Sequence, residues 1–173
     1  MRKAALADIP AIEQLIRLSV ERLQAETYSA EQRALAMGSV YGTDRQMISD
    51  STYFVIEDKG RLIACGGWSW RRTAFGGDAG MAKNDTPLDP KKDAARIRAF
   101  FVDPTQARRG LGTQLLRACE EAARAAGFLR MEMTSTLAGV PFYLRHGYAE
   151  CEPKELPLGS GLTLPVVRME RAL

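Results

Sequence analysis

The chain has 173 residues, of which 46% are apolar and 26% charged, and its formal net charge is +3. This balance is typical of one soluble globular domain and excludes disordered and collagen-like chains. The arginines are scattered instead of forming a basic run with interleaved aromatic residues, so neither a nucleic-acid partner nor a membrane partner is expected. An anionic small ligand stays compatible with the composition.

The first part of the chain predicts a helix followed by a pair of strands. A short strand opens the sequence, and apolar residues at helical spacing predict a helix capped by Asp8. A second helical stretch is expected after Ser29. Strand-like runs at 53–57 and 62–68 are joined by an Asp-Lys-Gly link. These residue types favour a tight hairpin, so the two strands are expected to be antiparallel neighbours.

Residues 71–93 are rich in Gly, Pro, Asp and Lys and form an unusually long connection for a compact domain. Since the segment leaves the third strand near the expected cleft, we hypothesise a lid on the acceptor side or a dimer contact. Trp68 and Trp70 precede it and point to one face of that strand. They either line an acceptor pocket or pack in the core or an interface.

The second part of the chain alternates strands and helices. The predicted elements are a strand at 97–102, a helix from Gly110 to Gly127, a strand at 129–134, a short helix at 140–146 and a last strand at 166–169. No internal repeat or domain boundary interrupts them, so the sequence predicts a single α/β domain over residues 1–173.

The cysteines and the first residues of the chain indicate in which cellular compartment the protein is expected. Cys65, Cys119 and Cys151 lie far apart without a Cys-x-x-Cys pair, so they are expected to be reduced and inert. The sequence has no run of about 18 apolar residues and no apolar signal-peptide core at its start. A cytoplasmic location is therefore expected.

The segment Arg108-Arg109-Gly110-Leu111-Gly112 lies between a predicted strand and a predicted helix. The first N–H groups of a helix have no partner within it, and they attract anions together with the helix dipole. Glycines permit close approach to the main chain, and two arginines add charge. The Walker loop and the dinucleotide fingerprint do not fit, because their remaining positions hold other residues. Taken alone, the short motif is equally compatible with a surface turn.

Residues 101–112 resemble the coenzyme-A-binding segment of the GNAT superfamily of N-acetyltransferases, and residues 140–148 are similar to that family's second motif. The resemblance is strong over 94–172 and looser before it. It implies a layered α/β fold with a mixed, mostly antiparallel central sheet, splayed fourth and fifth strands and flanking helices. Ala107 and Ala138 depart from the commoner pattern, the latter where many members carry Asn.

The resemblance also implies which residues bind acetyl-CoA. The fourth strand is expected to bulge near Phe101, so that main-chain groups of Phe101 and Val102 hold the thioester and pantetheine. Tyr143 matches the family's tyrosine and is expected to protonate the departing thiolate. The residues assigned to the coenzyme are Phe101, Val102, Arg108, Arg109, Gly110, Leu111, Gly112, Thr113, Phe142 and Arg145.

An alkyl amine is mostly protonated at neutral pH, so a base is needed. Glu132 on the polar face of the fifth strand is the candidate base. Alternatively, Glu132 is an exposed carboxylate on that strand without a catalytic role. Arg98 is costly to bury without an anion, so it either faces the acceptor cleft, with Trp68, or forms a structural salt bridge. His146 lies in a turn to which the family pattern assigns no chemistry.

Together these features predict an acetyltransferase that acts by direct attack in a ternary complex, without a covalent intermediate or a metal. The acceptor is expected to be a small-molecule or peptide amine, which the sequence does not identify, and a homodimer is left open. A non-catalytic acyl-CoA-binding or sensing domain is the alternative, and an interaction protein that kept the fold is a third interpretation.

Overall fold

A computed structural model of the chain describes residues 1–78 and 84–173. The strands are β1 (Arg2–Lys3), β2 (Tyr53–Asp58), β3 (Arg61–Ser69), β4 (Ala95–Val102), β5 (Arg130–Thr136), β6 (Ala149–Gly159) and β7 (Leu162–Ala172). The α-helices are α1 (Ile9–Leu23), α2 (Ala30–Ala36), α3 (Arg45–Ser49), α4 (Leu111–Ala125) and α5 (Val140–Arg145). Within this part of the chain, no helix is long and apolar enough to cross a bilayer.

The strands form one mixed sheet in the order β1-β2-β3-β4-β5-β7-β6 over the described residues. In this sheet, as far as the structure describes it, β4 and β5 pair in parallel, and the other neighbouring strands are antiparallel. The parallel pair is short, because it joins Ala95 to Met131 and Arg96 to Glu132 and then ends. The two strands diverge beyond these residues, which confirms the predicted mixed sheet with splayed fourth and fifth strands.

A bulge interrupts the pairing of β3 with β4. Cys65 lies opposite Phe101 and Gly67 opposite Arg98, so that Gly66 alone faces the two residues between them. Ala99 takes a φ of +56°, which a non-glycine residue adopts only when its surroundings hold it there. A Cβ at Gly66 would collide with the ring of Phe100. The bulge therefore lies immediately before Phe101, in agreement with the sequence expectation.

Helices α1 and α4 cover opposite faces of the sheet. Ile12 and Ile16 of α1 pack in one apolar cluster with Cys65, whereas Leu115 of α4 packs in another with Ala64. Successive side chains of a strand point to opposite faces, so adjacent Ala64 and Cys65 separate the two layers. The splay between β4 and β5 consequently opens between two packed helical layers.

Several local predictions differ from the structure. Leu129, which was expected to begin a strand, is 68% exposed and lies one residue before β5. The Asp8 carboxylate accepts from the N–H of Ala5 and not from the first turn of α1. The lid or dimer contact hypothesised for residues 71–93 stays a prediction, and near the end of this segment Leu88 is buried in the core. Its central residues, 79–83, lie outside the described part of the chain.

Candidate functional site

A cleft of about 740 Å³ opens where β4 leaves β5. Residues of both helical layers line it. We call the part formed by the start of α4, by α5 and by the end of β5 the α4 half. The α1 half is formed by the end of α1, residues 40–42, residues 74–76 and apolar side chains from β4, β6 and β7. The bulged strand β4 runs between the two halves.

Within the part of the chain that the structure describes, the first N–H groups of α4 have no side-chain cap and face the cleft. Gly110 caps the helix in the left-handed region with a φ of +81°, and it provides no side chain to accept from them. Arg108 also takes a positive φ, of 65°. Backbone of this kind directs successive N–H groups to one side, and the helix dipole adds about half a positive charge. Leu111, Gly112 and Thr113 line the cleft at this point, which suits an anion.

Gly112 permits α5 to approach the start of α4. A Cβ at this position would lie 3.2 Å from Cε2 and Cζ of Phe142. This spacing is tighter than an ordinary van der Waals contact, so a larger side chain would displace either the ring or itself into the cleft. A long side chain at position 112 would therefore change the shape of the α4 half.

Two arginines add positive charge to the cleft. Arg108 and Arg145 are both exposed and line it, and neither forms an ion pair within residues 1–78 and 84–173. Arg109 is placed differently: its guanidinium donates to Oε1 of Gln106, and it is not among the residues lining the cleft. The assignment of Arg109 to coenzyme binding stays a prediction that its position does not favour.

Replacing Arg108 with glutamine is expected to weaken acetyl-CoA binding about tenfold at low salt, equivalent to about 1.4 kcal/mol. The variant would remove a positive charge from the side of the cleft where the phosphates of the coenzyme are expected to bind. Calorimetric titration at low and high salt measures the effect, which salt should reduce. Arg109→Gln is the matched control and should change affinity less than twofold. A larger effect of Arg109→Gln than of Arg108→Gln would contradict this assignment.

His146 links α5 to the first turn of α4. Its Nδ1 lies 2.9 Å from the carbonyl oxygen of Phe142, and its Nε2 lies 3.0 Å from Oγ1 of Thr113. A carbonyl only accepts, so Nδ1 carries a hydrogen, and the Nε2 of a neutral ring then accepts from the threonine hydroxyl. His146 thus fixes the side chain of Thr113, a positioning role that the sequence motif does not reveal.

Tyr143 lies at the inner end of the α4 half and is 7% exposed. Its ring packs edge-on against Phe142 and Tyr148, with centroids 5.0 Å and 5.7 Å away. Burial raises the pKa of its hydroxyl above the ordinary value of 10, because the charged phenolate would be poorly solvated. The hydroxyl is consequently protonated at neutral pH and able to donate to a group in the cleft.

Glu132 and Trp68 lie outside the cleft lining. The Glu132 carboxylate forms ion pairs with Arg96 and with Arg168, the latter at 3.2 Å. Trp68 is buried against Phe128 at a ring distance of 6.1 Å. Their proposed roles as base and acceptor contact stay predictions that these positions do not favour, since one is paired elsewhere and the other packs in the core.

Arg98 both faces the cleft and forms a structural salt bridge, the two alternatives that the sequence left open. It lines the cleft but is only 5% exposed, and its Nη1 lies 2.6 Å from a carboxylate oxygen of Asp44. Its other terminal nitrogen donates to the carbonyl oxygen of Gly76. The guanidinium therefore forms a buried salt bridge and ties the segment before residue 79 to the wall of the α1 half.

The α1 half contains polar residues that the sequence did not single out. The hydroxyl of Tyr41 donates to Oε1 of Gln24 at 2.6 Å, and both residues line the cleft. Among the described lining residues, none is Asp or Glu. The described part of this wall therefore provides no carboxylate base.

The model of the acetyltransferase (GNAT) family matches residues 18–148. Among solved structures, the chain is similar to the GCN5-related N-acetyltransferase of Rhodopseudomonas palustris, with 19% identity and a TM-score of 0.73 over 99% of this chain and 94% of that one. It is also similar to the PaiA N-acetyltransferase of Thermoplasma acidophilum in complex with coenzyme A, with 15% identity and a TM-score of 0.67 over 99% and 97%. No curated protein shows significant sequence similarity.

A third similar structure is the ribosomal-protein-alanine N-acetyltransferase of Brucella melitensis, with 18% identity and a TM-score of 0.65 over 99% of this chain and 98% of that one. At these identities the likeness establishes the fold, and the family model establishes the relationship.

Proposed function

The chain belongs to the acetyltransferase (GNAT) family, and from this premise we propose that it transfers the acetyl group of acetyl-CoA directly to an amine in a ternary complex. The observation that carries the proposal is the cleft itself. It joins an unpartnered helix N-terminus to an apolar pocket through the gap between β4 and β5, with Tyr143 buried beside the gap.

The α4 half would hold the coenzyme. The N–H groups at the start of α4, with Arg108 and Arg145, suit the pyrophosphate because they combine free donors with uncompensated charge. The edge of β4 beyond Arg96 is unpaired with β5. Phe101 pairs with Cys65 of β3, whereas the main-chain groups of Val102 face the open edge and would bind the pantetheine arm. The N–H of Val102 is held only loosely by Oγ of Ser19, at 3.4 Å, and is therefore available.

The chemistry follows from these positions. The lone pair of the neutral amine attacks the thioester carbonyl carbon, and the resulting oxyanion is stabilised by an N–H of the β4 edge. The C–S bond then breaks, and the electron pair stays on sulfur. Tyr143 donates its proton to the sulfur while the amine nitrogen releases a proton, which restores the tyrosine directly or through water. The products are an N-acetylated amine and free coenzyme A thiol.

The test is amine-dependent release of coenzyme A thiol from acetyl-CoA across a panel of amines. Release above the rate without amine supports acetyl transfer. A protein that binds acetyl-CoA in a calorimetric titration but releases no thiol with any amine would be a non-catalytic binding or sensing domain. A chain without affinity for acetyl-CoA would be an interaction protein that kept the fold.

A further inference from the structure

The side chains that line the α1 half of the cleft indicate which kind of amine it binds. We infer that it selects monoamines with an apolar, uncharged body and discriminates against polyamines. The inference rests on the proposed function, since it treats this half as the acceptor site. It concerns equilibrium binding, however, and is tested separately from the acetyl-transfer step.

The walls of the α1 half are largely apolar. The lining side chains of this kind are Leu23, Val40, Phe75, Phe101, Leu156 and Val166. Most of them belong to the apolar cluster packed on the α1 face of the sheet, so the wall continues the core. Such a surface favours hydrocarbon over water and provides nothing to solvate a charge.

Two polar side chains of this half, Tyr41 and Arg98, are engaged with other side chains of the protein. Tyr41 donates to Gln24, and the charge of Arg98 is balanced by Asp44 at 2.6 Å. Both members of this ion pair are almost completely buried, with exposed fractions of 5% and 2%. Their charges therefore compensate each other within the protein, and Asp44 is not free to bind a ligand ammonium.

The neighbouring carboxylates are also paired. Asp50 binds Arg71 at 2.7 Å, and Asp78 binds Arg45 at 3.3 Å. Residues 79–83 contain no Asp or Glu in their sequence. A second ammonium on the acceptor would thus be buried against apolar side chains near Arg98, without an opposing charge, which is costly.

The experiment compares two amines of equal chain length, hexylamine and 1,6-diaminohexane, by calorimetric titration of the protein saturated with coenzyme A. Hexylamine is expected to bind at least tenfold more tightly. Equal or tighter binding of the diamine, or no measurable binding of hexylamine, would overturn the inference. A hexylamine preference without any thiol release from acetyl-CoA would support the pocket and contradict the proposed acetyl transfer.

A charge-adding variant makes the test specific for this wall. Leu23 lies at the end of α1, lines the cleft and is 42% exposed, so Leu23→Glu requires no repacking of the core. The variant should reduce the preference for hexylamine at least fivefold, because it supplies the missing counter-charge. Leu129→Glu is the matched control, 68% exposed and outside the cleft, and should leave the ratio unchanged. An unchanged ratio in Leu23→Glu would overturn the inference.

Discussion

Replacing Gly112 with glutamate is expected to abolish acetyl-CoA binding, with a loss of about a hundredfold or more, which corresponds to at least about 2.7 kcal/mol. Two effects add. The Cβ alone would lie 3.2 Å from the Phe142 ring, so the longer side chain has to enter the cleft. Its carboxylate would then occupy the site where the helix N-terminus favours an anion. Calorimetric titration with acetyl-CoA measures the loss.

Two further variants isolate the cause. Gln114→Glu adds the same charge to the same turn of α4, but Gln114 is exposed and does not line the cleft, so affinity should change little. Gly112→Ala adds only the Cβ, which the ring can accommodate by a small shift, and should weaken binding less than Gly112→Glu. Retention of full affinity by Gly112→Glu in a folded protein would show that the coenzyme binds elsewhere.

Replacing Tyr143 with phenylalanine is expected to lower kcat by about 10²- to 10⁴-fold, the usual contribution of a general acid. The affinity for acetyl-CoA should not change, because the variant keeps the ring and its contacts with Phe142 and Tyr148. Steady-state thiol release with a fixed amine gives kcat, and calorimetry gives the affinity. An unchanged kcat would show that the tyrosine serves only to pack.

Tyr148→Phe is the control for loss of a buried hydroxyl. The Tyr148 hydroxyl donates to Glu120 at 3.0 Å, and the residue does not line the cleft. This variant should lose about 1–3 kcal/mol of unfolding free energy and leave kcat unchanged. The pH profile adds a second check. Since burial raises the pKa of Tyr143, the acid stays protonated through neutral pH, and the alkaline loss of activity of the wild type should lie above pH 10.

The anion-binding turn at the start of α4 was predictable because consecutive residues form it. The strand, the turn at Arg108 to Gly112 and the amphipathic helix lie next to one another in the sequence, and the physics of a helix N-terminus acts within that short segment. The splay of β4 from β5 followed from the family resemblance. The position of the bulge also followed from that resemblance, whereas its cause, the close packing of Phe100 on Gly66, appears only in the fold.

The α1 half was not predictable in the same way, because its contacts join distant residues. Arg98 and Asp44 are 54 positions apart, and Tyr41 and Gln24 are 17 apart. Neither spacing corresponds to the period of a helix or a strand, so no sequence pattern predicts these contacts. The same holds for Glu132. The alternation of polar and apolar residues in β5 predicted its polar face, but its ion pairs with Arg96 and Arg168 depend on which strands become neighbours in the sheet.

Transfer of a labelled acetyl group tests the central claim most directly. The protein is mixed with acetyl-CoA carrying the label on the acetyl group, hexylamine is added, and mass spectrometry follows both the amine and the intact protein. Direct transfer predicts one labelled N-acetylhexylamine for each thiol released, no thiol release before the amine is added, and no labelled protein. Labelled protein that forms before the amine, or thiol release without acetylated amine, would contradict it.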